Sequence, residues 1–231
     1  MEGGIIAAGL GSRFQEAGFS VPKPLIELGN KPLLAWTLDQ FINADISKIH
    51  IIFRTAICKE CKTFLLSTYP QIQFTFVCKD TQSSAESFLT LLKSWDENKQ
   101  VLVTTVDSIY RPGMLKRLRE QGERGPKNAL YLGITSYIED EKPLYVDIDS
   151  TGLIRSLGNH EGAYVTSGAY LLPTGFAKGR DPSRYKALRA FLKEIVSHDQ
   201  ITSFGINLGK VFDIDRPEDL DSAQGVLQGA V

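Results

Sequence analysis

The chain has 231 residues, 42% of them hydrophobic and 23% charged, and a formal net charge of -1. This composition excludes a disordered chain, supplies ample apolar material for a core, and argues against a nucleic-acid partner, which normally demands a basic excess. No apolar run approaches the ~18 residues of a membrane span, and the apolar stretch Ile5–Leu10 stops at Gly11–Arg13 without a basic segment before it, so no signal peptide is read and a cytoplasmic protein is expected.

Gly3–Ala8 is a short apolar run that meets glycine at once, a strand-like start. Pro32 sits at the opening of a helix carried by Leu34, Leu38, Phe41 and Ile42. Lys48–Arg54 is rich in isoleucine and Gln73–Cys78 alternates aromatic with polar residues, both as strands do. Ala85, Phe88, Leu89 and Leu92 repeat at helical spacing, and Val101–Asp107 is β-branched almost throughout. Pro112 opens a further helix, followed by a strand at Ala129–Thr135. Lys142–Leu157 reads as two strands around the turn Asp149-Ser150-Thr151-Gly152. Leu188, Phe191, Leu192 and Ile195 mark another helix, and Pro217 opens the last one, through Leu220, Ala223 and Leu227.

Strands alternating with helices predict an α/β fold: a Rossmann-like, mostly parallel sheet with helices on both faces and a small antiparallel insert at about residues 138–175, all within one domain over 1–231. Cys58, Cys61 and Cys78 are an odd number and read as reduced thiols; Cys58-x-x-Cys61 lacks the second ligand pair of a closed zinc site. Trp36 and Trp95 fall on helices as packing residues, His50 on a strand as packing or surface, His198 at a helix end, and His160 in a loop; Glu139-Asp140-Glu141 reads as a solvated turn.

Chemistry concentrates after the first strand. Ala7-Ala8-Gly9-Leu10-Gly11-Ser12-Arg13 lets backbone N–H groups approach phosphate oxygens, and Arg13 adds a forked donor. The glycines alone would fit a tight strand-to-helix turn equally well. In Val21-Pro22-Lys23-Pro24-Leu25 two prolines hold a lysine in a stiff segment, where it can bring a point charge to a phosphate. A dinucleotide fingerprint would need glycine where Phe14 stands, and no Gly-Lys-Ser/Thr of a P-loop follows. Asp107 ends a buried-type strand, where open α/β sheets bind ligands, although it could instead cap the turn before Pro112. Asp213 and Asp215 project to one side of an extended segment.

With its opening GGIIAAGLGSRF…VPKPLIELGNKPLLAWTLDQF, then Val101–Tyr110 and finally VFDIDRPEDL, the chain resembles the nucleotidyltransferases that make nucleotide sugars and related activated head groups, over almost its whole length. The resemblance implies the nucleotide-diphospho-sugar transferase fold and Mg2+-dependent transfer of a nucleoside monophosphate from a nucleoside triphosphate to a phosphorylated acceptor, with release of pyrophosphate. It assigns the nucleotide to the backbone of Ala8, Gly9, Leu10, Gly11 and Ser12, the triphosphate to Arg13, and the α-phosphate to Lys23. Asp107 and Asp213 become the metal ligands; Asp215 is the second choice and otherwise caps the last helix.

Cys78 takes the place of a base-reading glutamine, and Ser83 and Ser84 replace a small-residue segment, offering backbone contacts or plain helix capping. On the acceptor side Gly168 matches, with Thr166 beside it, while the family's Glu-Lys pair and asparagine are missing and Glu161 is the nearest substitute. A sugar 1-phosphate is the favoured acceptor. Cytidylyl transfer to phosphocholine or a polyol phosphate, and molybdopterin nucleotide formation, are the alternatives within the family. A non-catalytic nucleotide-binding regulatory protein is the alternative of another class. Monomer and homodimer both remain open.

Overall fold

The computed structural model describes residues 1–138, 143–158, 161–198 and 201–228. The acidic stretch 139–141, His160 and the side chain of His198 lie outside what is described. In chain order the elements are β1 (Glu2–Ala7), α1 (Ser12–Glu16), β2 (Glu27–Leu28), β3 (Lys31–Pro32), α2 (Leu33–Asn43), β4 (Lys48–Phe53), α3 (Thr55–Thr68), β5 (Gln73–Cys78), α4 (Ser84–Leu92), β6 (Val101–Thr105), β7 (Ser108–Tyr110), α5 (Met114–Arg124) and β8 (Leu130–Thr135). There follow β9 (Tyr145–Ile148), β10 (Ile154–Gly158), β11 (Tyr164–Leu172), α6 (Leu188–His198), β12 (Ser203–Asn207), β13 (Val211–Asp213) and α7 (Pro217–Gln228).

Four parallel strands run β5-β4-β1-β6, which places β1 at the centre. Side chains of β1 alternate between the two faces, as strand geometry dictates. Ile5 and Ala7 enter one core with Leu34, Leu38 and Phe41 of α2 and Leu115 and Leu118 of α5. Ile6 enters the other with Phe88 and Leu89 of α4 and Phe191 and Leu192 of α6. Both faces of the sheet are therefore covered, which is why its strands read as continuous apolar runs. Phe88 is fully buried, with the rings of Tyr170, Phe176 and Phe191 at 5.9, 6.3 and 5.8 Å. Truncating such a residue to alanine costs about 3–5 kcal/mol.

The antiparallel part is larger than a hairpin insert. β9 and β10 do pair around the expected turn, with Gly152 at φ 84°. The long β11, however, lies inside the main sheet, antiparallel to β6 on one side and to β8 and β9 on the other. β12 extends the sheet alongside β8. A small third core under the site joins Phe14, Ile26, Leu28, Ile109, Phe212 and Ile214.

Four local readings are corrected. Pro32 is the residue before α2 and part of β3, and Pro112 stands two residues ahead of α5, whose N-cap is Gly113 at φ 85°. Trp95 lies beyond the end of α4, buried, with its ring 4.6 Å from His50. Most substantially, the thiols expected to be reduced are not all free: Cys58 in α3 is disulfide-bonded to Cys78 at the end of β5, with a Cα–Cα distance of 5.9 Å. Cys78 pairs with Phe53 in the sheet, and α3 turns back over that same end, so tertiary contact joins residues 20 apart in sequence. Cys61 stays free and buried, its thiol pushed up to about 12 by that burial. Closing a loop of this size contributes about 3 kcal/mol. Reduction, or Cys58→Ser, is expected to lower Tm by several degrees; identical melting of the oxidised and reduced protein would remove this contribution.

Candidate functional site

The carboxyl end of β1 opens into the glycine loop. Gly11 adopts φ 62°, a left-handed conformation, as N-cap of α1, and its carbonyl accepts from Phe14 and Gln15 at 3.1 Å. A Cβ on Gly11 would stand 3.0 Å from Cβ of Lys23, so glycine is required both by the turn and by the close approach of the lysine stem. Lys23 is fixed by a 3-10 turn over Lys23–Leu25, in which Leu25 N donates to Pro22 O at 2.8 Å.

The side chain of Lys23 is 8% exposed and donates to Asp107 Oδ2 at 2.7 Å and Asp215 Oδ1 at 2.6 Å. Burial works against its charge, but the two carboxylates outweigh it and raise the ammonium well above the usual lysine value. Lys23 is thus a permanent cation and not a base. Burial likewise opposes the charge on Asp107, yet Lys23, helped by the Thr105 hydroxyl, holds that carboxyl below the usual range.

The small ladder β7–β13 explains why two distant aspartates meet. It pairs Asp213 with Ser108, and Ile214 N donates to Asp107 O at 3.0 Å. Oxygens of Asp107, Asp213 and Asp215 lie within 4.8 Å of one another. Asp215 is not the cap of α7. Its carboxylate binds Lys23 and receives Arg13 Nη1 at 3.2 Å, while Asp219 accepts from the N–H groups of Asp215 and Arg216 at 2.8 and 2.6 Å.

Two cavities meet at this cluster. One, of about 270 Å3, is lined by Ala8, Gly9, Leu10, Lys23 and the segment Thr81–Ser84. Gly11, Ser12 and Arg13 follow on the helical side of the loop. The other, of about 300 Å3, is lined by Tyr137, Leu144, Thr166, Gly168, Leu192 and Asp213, among others. Ser84, Thr105 and Asp107 belong to both walls.

Ser83 caps α4, accepting from Glu86 N at 3.1 Å and donating to Tyr185 O, and Ser84 Oγ accepts from Leu188 N at 2.9 Å. Cys78 does not line the first cavity, whereas Thr81 and Gln82 do; the disulfide holds Cys78 against α3. Glu161 is exposed and outside the second cavity, whereas Thr166 and Gly168 line it. Tyr137, Tyr170 and Arg189 also line it. No motif marked those three, because they come from separate elements that only the sheet brings together.

A glycine turn at the end of a central parallel strand, a buried lysine among aspartates and a second cavity beside them define a nucleotidyltransferase-type α/β protein. Residues 3–165 match the MobA-like NTP transferase domain, and the chain belongs to that family. A glucose-1-phosphate cytidylyltransferase of Salmonella typhimurium is 31% identical over 124 residues, 52% of this chain and 45% of that protein. A CMP-5'-(3-aminopropyl)phosphonate synthase of Streptomyces rubellomurinus is 24% identical over 195 residues, 76% of this chain and 29% of that protein. The chain thus spans less than half the length of these curated relatives.

Among solved structures, the inositol-1-phosphate CTP transferase from T. maritima superposes with TM-score 0.82 at 16% identity, covering 98% of this chain and 94% of that one. A putative glucose-1-phosphate thymidylyltransferase from Bacillus anthracis gives 0.85 at 17%, covering 100% and 96%. These likenesses establish the nucleotide-sugar transferase fold. Among the described residues no helix is long and apolar enough to cross a membrane.

Proposed function

We propose that the protein transfers a nucleoside monophosphate from a nucleoside triphosphate to a small phosphorylated acceptor and releases pyrophosphate. One observation carries the reading: two cavities share the wall formed by Ser84, Thr105 and Asp107, with Lys23 beside it. Nucleotide occupies the cavity of the glycine loop and acceptor the one beyond Asp107. The attacking phosphate oxygen and the α-phosphorus then meet at Lys23, whose fixed charge neutralises the oxygens of both phosphates. Arg13, next to Asp215, takes the departing pyrophosphate. Little covalent help is needed; positioning and charge neutralisation supply the rate.

Three clustered carboxylates form a hard oxygen donor set that fits Mg2+. Asp107, Asp213 and Asp215 would hold the ion, which supplies further neutralisation of phosphate charge when bound. CTP is the first nucleotide to try, because both curated relatives above carry cytidylyl or CMP chemistry in their names. A sugar 1-phosphate is the first acceptor, with phosphorylated alcohols and phosphonates next. Consumption of nucleoside triphosphates favours the cytoplasm, against which stands the Cys58–Cys78 disulfide, a bond that reducing compartments rarely keep.

The test is pyrophosphate release with Mg2+, each NTP and dTTP, and a panel of such acceptors. Acceptor-dependent release that Asp107→Ala reduces by about 10²-fold or more supports the reading. Release that needs no acceptor, or that survives Asp107→Ala, contradicts it.

A further inference from the structure

Beneath the aspartate cluster, buried hydroxyls tie the acceptor side of the site to the loop that carries Asp107. β11 loses regular pairing with β8 between Thr166 and Tyr170, and within this break the Ser167 carbonyl accepts from the Tyr110 hydroxyl at 2.8 Å. Tyr110 is 2% exposed. Its single proton is committed to that carbonyl, so the Thr104 hydroxyl, 2.8 Å away, is the donor to Tyr110.

The next residue, Gly168, sits at φ 78°, and a Cβ there would lie 2.3 Å from Ser108 Oγ and 2.7 Å from Thr105 Oγ1. Those two hydroxyls are hydrogen-bonded to each other at 2.7 Å and flank Asp107 in sequence. The break in β11 therefore rests directly on the Asp107 turn, and Thr166, Ser167 and Gly168 line the acceptor cavity above it.

We propose that Tyr110 is a positioning residue that fixes the acceptor-cavity floor at Thr166–Gly168 relative to Asp107; this rests on the transferase reading above. Gly168 takes its positive φ without steric cost, but a strand that has lost its ladder pairing with β8 over this stretch needs other contacts to fix its path. Among what holds it here are the phenol hydroxyl on the Ser167 carbonyl, the Thr166 N–H donating to Leu144 O at 3.0 Å, and the missing Cβ of Gly168. Phenylalanine at 110 keeps the ring and its packing but leaves the Ser167 carbonyl unpaired in a buried place, an unfavourable state that rearrangement of the floor relieves. The nucleotide cavity shares Ser84, Thr105 and Asp107 with the acceptor cavity, but its other walls come from the glycine loop, the Lys23 turn and Thr81–Ser87, and none of Thr166–Gly168 lines it.

Tyr110→Phe is expected to raise the acceptor KM about 10-fold while the nucleotide KM stays within about 2-fold. Thr104→Val is the control: it removes a buried hydroxyl bonded to the same phenol but leaves the Tyr110–Ser167 contact, so it should lower Tm without moving the acceptor KM. Amide hydrogen exchange at residues 166–169 should accelerate in Tyr110→Phe and not in Thr104→Val. Equal rises in both KM values, or matching behaviour of the two variants, would show a merely structural tyrosine and overturn the proposal. A wild-type protein without transferase activity defeats the transferase reading, and the exchange comparison still decides whether Tyr110 holds the floor.

Discussion

Lys23→Met is expected to lower kcat/KM by on the order of 10²–10³-fold and, in the same protein, to tighten Mn2+ binding. The two effects have opposite signs for one reason. The ammonium of Lys23 sits 2.7 Å from Asp107 Oδ2 and 2.6 Å from Asp215 Oδ1, so it neutralises two of the three clustered carboxylates. Methionine fills much of the same volume without charge. A dication then meets three carboxylates without the ammonium between them, Arg13 staying on Asp215, and much of the Coulomb repulsion it otherwise faces is gone. Catalysis suffers because the charge needed at the reacting phosphates goes with it. Steady-state kinetics and a Mn2+ titration of the nucleotide-free protein measure the two quantities. Weaker metal binding in Lys23→Met would mean that the lysine organises the aspartates more than it competes with an ion.

The second large effect concerns acid. Glu2 lies at the far end of β1, its side chain 4% exposed, with Lys99 Nζ at 2.6 Å and Lys48 Nζ and His50 Nε2 each at 2.9 Å. Burial opposes its charge, but hydrogen bonds from Lys99, Lys48 and His50 win and hold the carboxyl at about 2, against 4.5 for the free group. A depressed carboxyl stabilises the fold above its unfolded value and loses that contribution as pH falls through the folded one.

Urea unfolding should therefore show a loss of about 2–3 kcal/mol between pH 5 and pH 2, the partly exposed lysines trimming the full linkage value. His50 acts in the same direction. Burial pushes its imidazole below 6.5, so the fold prefers it neutral and is weakened as acid charges it. Glu2→Gln should be less stable than wild type at neutral pH, and the two should converge as pH falls. Parallel stability curves would mean that Glu2 titrates alike in the folded and unfolded chains.

Much of the parallel half was legible in the sequence, because strands buried on both faces leave unbroken apolar runs, as at Ile49–Phe53 and Val101–Val103. Helices α2, α4 and α6 followed from their spacing. The meeting of Asp107 with Asp213 was foreseen through family resemblance; its physical cause, the β7–β13 ladder, is three residues long and carries no periodic signal.

β11 escaped notice for a specific reason. Its centre is Thr166-Ser167-Gly168, small polar residues and glycine that give no strand signal, yet the chain remains extended on both sides of the irregularity. The disulfide escaped because Cys58 is positioned by α3 folding back, which no spacing rule encodes. Asp215 looked like a cap because it precedes Pro217, but Asp219 does that work from inside the helix and frees Asp215 for Lys23 and Arg13.

The position of β11 also bears on how the chain is made. β6 has β1 on one flank and β11 on the other, and residues 164–172 leave the ribosome some sixty positions after residues 101–105. Until then the outer edge of β6 has no partner in the sheet, and an unpaired apolar strand edge invites association with other chains. The stretch that matches the family ends at residue 165, two residues into β11. A protein cut at that homology boundary would retain every residue of the glycine loop and Lys23, and would be prone to aggregate through β6.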